Sequence, residues 1–138
     1  MWRAILAGVV GYIVWWVIGT AGFLSLRDLW HGYAAAEPTL AFDLPMELAR
    51  LSVGVLCGLG SGIVIALIAR RSTFACWIVG AVILLQFLPS HYRLWARFPL
   101  WYHLFFLLTL APLIYLGMRW ALGWGARPRP DTPRPAGA

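Results

Sequence analysis

Four long apolar stretches dominate this chain, Ala4 to Leu26, Leu48 to Ala69, Phe74 to Leu88 and Leu100 to Leu122, and very little charge interrupts them. A helix rises about 1.5 Å per residue, so about 20 such residues cross a hydrocarbon layer about 30 Å thick. The expected fold is therefore an all-α membrane protein, a four-transmembrane-helix bundle with short loops. Composition agrees, because 62% hydrophobic and 12% charged residues would leave a soluble chain of 138 residues without enough polar surface to cover itself.

The spans are placed at 4–26, 44–69, 74–92 and 99–122, within one domain over residues 1–124. The first stretch has the basic flank Arg3 and small residues from Gly19 to Gly22, as a signal peptide would. Its length, and Trp15 and Trp16 at its middle, favour an uncleaved helix. The remaining segment, 125–138, alternates Arg with Pro and carries no large apolar side chain, so it is expected to be a disordered cytoplasmic tail.

The net charge of +6 is spread over span boundaries and is not gathered on one soluble face, so nucleic acid is not an expected partner. Arg3, Arg70, Arg71, Arg119, Arg127, Arg129 and Arg134 fall on one side of a four-span arrangement, and Arg27, Arg50, Arg93 and Arg97 on the other. That bias places both termini of a multi-pass protein in the cytoplasm.

The second span has Gly54, Gly58 and Gly62 at four-residue steps, with Cys57 and Ser61 between them. On a wheel of about 100° per residue these positions, with Glu47 and Arg50, fall within an arc of about 140°. Helices in lipid gain little from burying apolar surface against each other, so a nearly bare face permits the close approach that supplies attraction. The first span, with Ala7, Gly8, Gly11, Gly19 and Gly22, is the expected partner of this glycine face. A second copy or another subunit is the alternative, and lipid covers the rest.

Two prolines and one amide mark the other spans. Pro112 should bend the fourth span by freeing the carbonyl of Leu108, which Thr109 is placed to satisfy in part. The third span is expected to continue through a bend at Pro89, and Gln86 to bond a neighbouring helix.

Several chemistries find no foothold. No ionisable residue lies near the middle of a span, where proton- and ion-coupled transporters carry them. Cys57 and Cys76 lack a C-x-x-C arrangement, no His pair at mid-depth supports a haem, and no phosphate loop, G-x-S-x-G or H-E-x-x-H is present. A non-catalytic reading is favoured, with no cofactor assigned.

Polar and aromatic residues instead collect at the non-cytoplasmic ends, in the connections 27–50 and 89–103. An interfacial belt of Trp and Tyr accounts for most of them. Asp43 fits a helix N-cap with Pro45 in the first turn, which puts Glu47 and Arg50 one to two turns deep, where they are expected to pair. His103 lies about one turn inside the fourth span. Glu47, Arg50, His91, Tyr102 and His103 thus form a candidate outer-face polar site, against the plainer reading of a capped helix end with a snorkelling Arg and a hydrogen-bonded core His. No two candidate ligands stand at i, i+4, so no metal is indicated by spacing.

Pro89 with His91, Leu94 with Trp95, Phe98 with Pro99, and Trp101 through Leu104 resemble a pattern of small four-span bacterial membrane proteins. The resemblance covers the last third of the chain and implies four spans but no activity. Two functions stay open: a scaffold, accessory subunit or lipid-contacting factor, and an outward-facing protein binding a ligand, metal or quinone through the polar cluster.

Overall fold

A computed structural model describes residues 1–70 and 72–125. They form five α-helices and no strand: α1 (Trp2–Leu29), α2 (His31–Ala36), α3 (Leu44–Ile68), α4 (Thr73–Arg93) and α5 (Leu100–Gly125), with a 3-10 turn at Glu37–Thr39 between α2 and α3. Four of these, all but α2, are long and apolar enough to cross a membrane. The tail expected after position 125 lies outside the described residues.

The helix boundaries follow local chemistry. Asp43 caps α3 as its sequence position suggests, its carboxylate accepting from the Met46 N–H at 3.0 Å with Pro45 in the first turn. Ser72 caps α4 by accepting from the Ala75 N–H. That helix runs through Pro89 to Arg93, and α5 runs through Pro112. Thr109 donates to the carbonyl of Phe105 at 2.6 Å, not to that of Leu108. This corrects the expectation from sequence, since a hydroxyl in a helix reaches its own i−4 carbonyl most easily.

The long helices form a ring in which α1 touches α3 and α4, and α5 touches the same two. Consecutive helices α3 and α4, although joined by a short turn, sit across the bundle from each other. In the α1/α3 seam Gly11 meets Ser61 and Ile65, Gly19 meets Cys57 and Gly22 meets Val53, so the two helices run antiparallel. In the α3/α5 seam Gly54 meets Phe106, Gly58 meets Leu113, and Gly62 meets the backbone of Ile114 and Met118, so these run parallel.

The glycine face therefore packs on α5 and not, as expected, on α1. The two sides of α3 differ in kind: Val53, Cys57, Ser61 and Ile65 project as knobs that fit the glycine gaps of α1, whereas its own glycines admit the backbone of α5. Gly117 completes the second seam, lying against the backbone of Leu59. Gly58 and Gly62 are buried in this seam against α5.

A further small contact, Gly80 on Ala111, draws α4 against α5. The α1/α4 seam is looser and is tied by the Tyr12 hydroxyl, which donates to Gln86 Oε1 at 2.8 Å. That is the interhelical role expected of the amide. Arg3 donates to the carbonyl of Ile68 at 3.1 Å, joining the end of α3 to the start of α1. The end of the bundle that carries Arg3, Arg70 and Arg119 is called the inner end below, and that of α2, His91 and His103 the outer end.

Candidate functional site

In the outer half the four long helices part around a cavity of about 180 Å³. Its wall is aromatic: Trp15, Trp16 and Phe23 come from α1, Phe87 from α4 and Phe106 from α5, with Phe98 from the α4/α5 connection. The rings form a continuous series, Phe87 lying 5.3 Å from Trp15 and 5.4 Å from Phe106, and Phe106 lying 4.8 Å from the His91 imidazole. The exposed members of the wall are Trp16 and Thr20 on α1 and Ser90 on α4, and Trp16 stacks on Phe87 across the seam between those helices at 5.9 Å.

Arg50 enters this wall from the second turn of α3. Its Nη1 donates to the Tyr33 hydroxyl at 2.5 Å and its Nε to the Tyr102 hydroxyl at 3.4 Å. Its guanidinium carbon lies 4.7 Å from the centre of the Phe42 ring, 5.0 Å from Phe23 and 5.8 Å from Phe98. Such ring faces attract a cation by roughly 0.5–2 kcal/mol each, most when water is excluded. Tyr33 arrives on the short helix α2, fully buried and stacked on Phe42 at 5.2 Å. Burial pushes the Tyr33 phenol above its ordinary value, and the Arg50 charge beside it opposes that shift.

Glu47 does not pair with Arg50, which corrects the expectation from sequence. Arg27 with Glu37 is the ion pair found among the described residues, at 3.9 Å and on the surface. The two positions are three apart on α3, but the guanidinium turns to Tyr33 and Tyr102, whose hydroxyls take its Nη1 and Nε. Glu47 is buried near the start of α3 and takes no part in the cavity wall.

Beside Tyr102 stand the two histidines, with ring centres 6.3 Å (His91) and 6.0 Å (His103) from its own. His91 Nδ1 and His103 Nδ1 are 2.6 Å apart, so one ring donates its proton to the other. Trp95 covers His103 almost parallel, 4.9 Å between ring centres and 13° between planes. Both histidines are buried, and His103 Nε2 has no hydrogen-bond partner. Among the described residues one other buried side-chain polar atom shares that condition, Ser61 Oγ, deep in the α1/α3 seam and away from the cavity. His31 is exposed on α2 and does not join the pair.

Of the five residues singled out in the sequence, Arg50, His91, Tyr102 and His103 thus share one cavity wall and Glu47 stands apart. Sequence reasoning missed Tyr33, Phe23, Phe42 and Phe98, the residues that house the guanidinium. Their signal was present but unspecific, because aromatic residues near a span end are also what an interfacial belt provides. No cluster of three metal-ligating side chains occurs among the described residues. The arrangement offers hydrogen-bond donors and a fixed positive charge to a molecule otherwise surrounded by rings.

No family model matches the chain, and neither does any curated protein or solved structure.

Proposed function

We propose that this is a multi-pass membrane protein that binds a small amphiphile, taken from the lipid between α1 and α4 and held with its polar head toward Arg50 and the histidine pair. The observation that carries this reading is the cavity itself, apolar and aromatic over most of its wall, with Arg50, His91, Tyr102 and His103 as its placed polar groups and its exposed wall residues on the side of α1 and α4. At about 180 Å³ it exceeds the roughly 150 Å³ that suffices for a benzene ring. Ligand sites of this composition, apolar with a few placed polar groups, are the usual form of a small-molecule pocket between helices of a bundle. The geometry favours binding over a purely structural role as scaffold or accessory subunit, for which tight packing throughout would serve.

The same reading sets the inner end, with Arg3, Arg70 and Arg119, in the cytoplasm, and the cavity in the outer leaflet. The bacterial inner membrane is the setting suggested by the resemblance of the segment from Pro89 to Leu104.

Native mass spectrometry of protein purified from its membrane tests the proposal. A small amphiphile should accompany the wild type and be lost from a Thr20→Trp, Ser90→Trp variant, which blocks the opening at two exposed positions. Helical content by circular dichroism should be equal in the two. Identical adducts on both proteins, or none on either after gentle extraction, would overturn it.

A further inference from the structure

Arg50 is permanently charged, and its surroundings supply rings and neutral hydroxyls but no anion. Two of the five guanidinium N–H groups are taken by Tyr33 and Tyr102, and Nη2 has no hydrogen-bond partner among the described residues. A cation facing an apolar cavity is costly without a counter-charge, and the aromatic faces offset that cost in part. Glu47, the nearest acid along the helix, does not supply it. Next to Tyr102 on α5, His103 Nε2, in a residue only 1% exposed, also lacks a partner, and it is a donor when His91 gives the shared proton. The unbonded edge of the guanidinium is thus placed to receive an acceptor that the chain does not contain.

From this we infer that the amphiphile is a single-chain acid whose carboxylate rests on the free edge of Arg50, its chain lying along the aromatic wall and leaving between α1 and α4. The inference rests on the binding reading above and adds the chemical class of the head group. A carboxylate is planar, carries one charge and matches the guanidinium edge. One cation balances one carboxylate, whereas a phosphate monoester dianion would remain half uncompensated. A cavity of about 180 Å³ admits a carboxylate with the first part of one chain, but not a glycerol carrying two. A neutral head, such as a quinone or an alcohol, would bring the guanidinium no counter-charge.

Binding of dodecanoate, dodecanol and methyl dodecanoate to the full chain in nanodiscs of zwitterionic lipid, followed by quenching with brominated forms of each probe, tests this. Dodecanoate at pH 8 should bind at least about tenfold more tightly than either neutral probe, the difference a charge-assisted hydrogen bond makes. Arg50→Gln should abolish that preference, and Arg50→Lys, which keeps the charge, should retain part of it. If Arg50→Gln does not fold, the acid-to-alcohol ratio in the wild type and its retention in Arg50→Lys decide the matter alone. Equal affinity for all three probes in the wild type overturns the carboxylate assignment and leaves the cavity reading standing. Failure of every probe to bind, with no effect of the Thr20→Trp, Ser90→Trp change, overturns both.

Discussion

Toward the inner end, Gly62 and Gly117 let the backbones of α3 and α5 touch, whereas toward the outer end Phe106 stands against Gly54 and the same two helices are held a side chain apart. The transition takes two turns of α3: Gly54 faces a ring, Gly58 the Cβ of Leu113, and Gly62 a backbone carbonyl. One stripe of glycines therefore does two things. Where its partner is small it closes the bundle, and where its partner is aromatic it leaves room. Under the membrane reading, where apolar burial between helices adds little, contact distance is what separates a packed seam from an open one. The cavity is accordingly a consequence of which residues α5 sets against a uniform stripe.

The largest expected effect comes from making one substitution in both halves. A Cβ at position 62 would collide with the Ile114 carbonyl and approach the Met118 N–H within 2.7 Å, while at position 54 it would lie 3.4 Å from the Phe106 ring. Gly62→Ala should therefore destabilise by about 2 kcal/mol through overpacking, and Gly54→Ala should be neutral or stabilise by about 0.5 kcal/mol through helix propensity. Reversible unfolding in mixed detergent micelles measures both. Equal losses at the two sites would show that the seam is as tight at the cavity as at the inner end.

A second contrast concerns the buried histidine pair, which belongs to the looser half. His91 and His103 share a hydrogen bond between buried rings, so removing either leaves the other's Nδ1 unsatisfied. In a cycle of His91→Phe, His103→Phe and the double variant, the coupling should be about 1 kcal/mol. Additive losses would mean that each ring is held by its aromatic neighbours alone, and would remove the ordered histidine pair from the cavity wall.

How much of this was legible beforehand depends on the range of the interaction. The four spans, the Asp43 cap and the run of α4 through Pro89 follow from length, capping chemistry and local hydrogen bonds, and all are readable along the chain. The partner of the glycine face was not, because a stripe of small residues declares that something comes close without naming what does. Two helices offered complementary faces to α3, and only the three-dimensional ring assigns knobs to α1 and backbone to α5. The site shows the same limit. Arg50, His91, Tyr102 and His103 stood out as polar residues near span ends, but the choice between Glu47 and two tyrosines as partners of Arg50 depended on where α2 folds back, and Tyr33 lies on that short helix.

At the boundary between the halves, Tyr12 and Gln86 tie α1 to α4 below the opening of the cavity. Hydrogen bonds between membrane helices average about 0.6 kcal/mol, so Tyr12→Phe should cost about that much. It should also widen the seam, which an increase in the rate of amphiphile exchange would reveal. A loss near 2 kcal/mol would instead make this seam as stringent as the glycine contacts and the opening correspondingly fixed.

The smallest expected effect is a coupling near zero between Glu47 and Arg50. Were they an ion pair at a packed helix end, removing the carboxylate alone would strand a desolvated guanidinium, and Glu47→Gln would cost more than Glu47→Gln with Arg50→Met. In the structure the guanidinium is held by tyrosine oxygens and ring faces that Glu47→Gln leaves in place. The losses from Glu47→Gln and Arg50→Met should therefore add within about 0.5 kcal/mol. A coupling above about 1 kcal/mol would give Arg50 a counter-charge within the chain, and with it would fall the reason for Arg50 to seek an anion from the membrane.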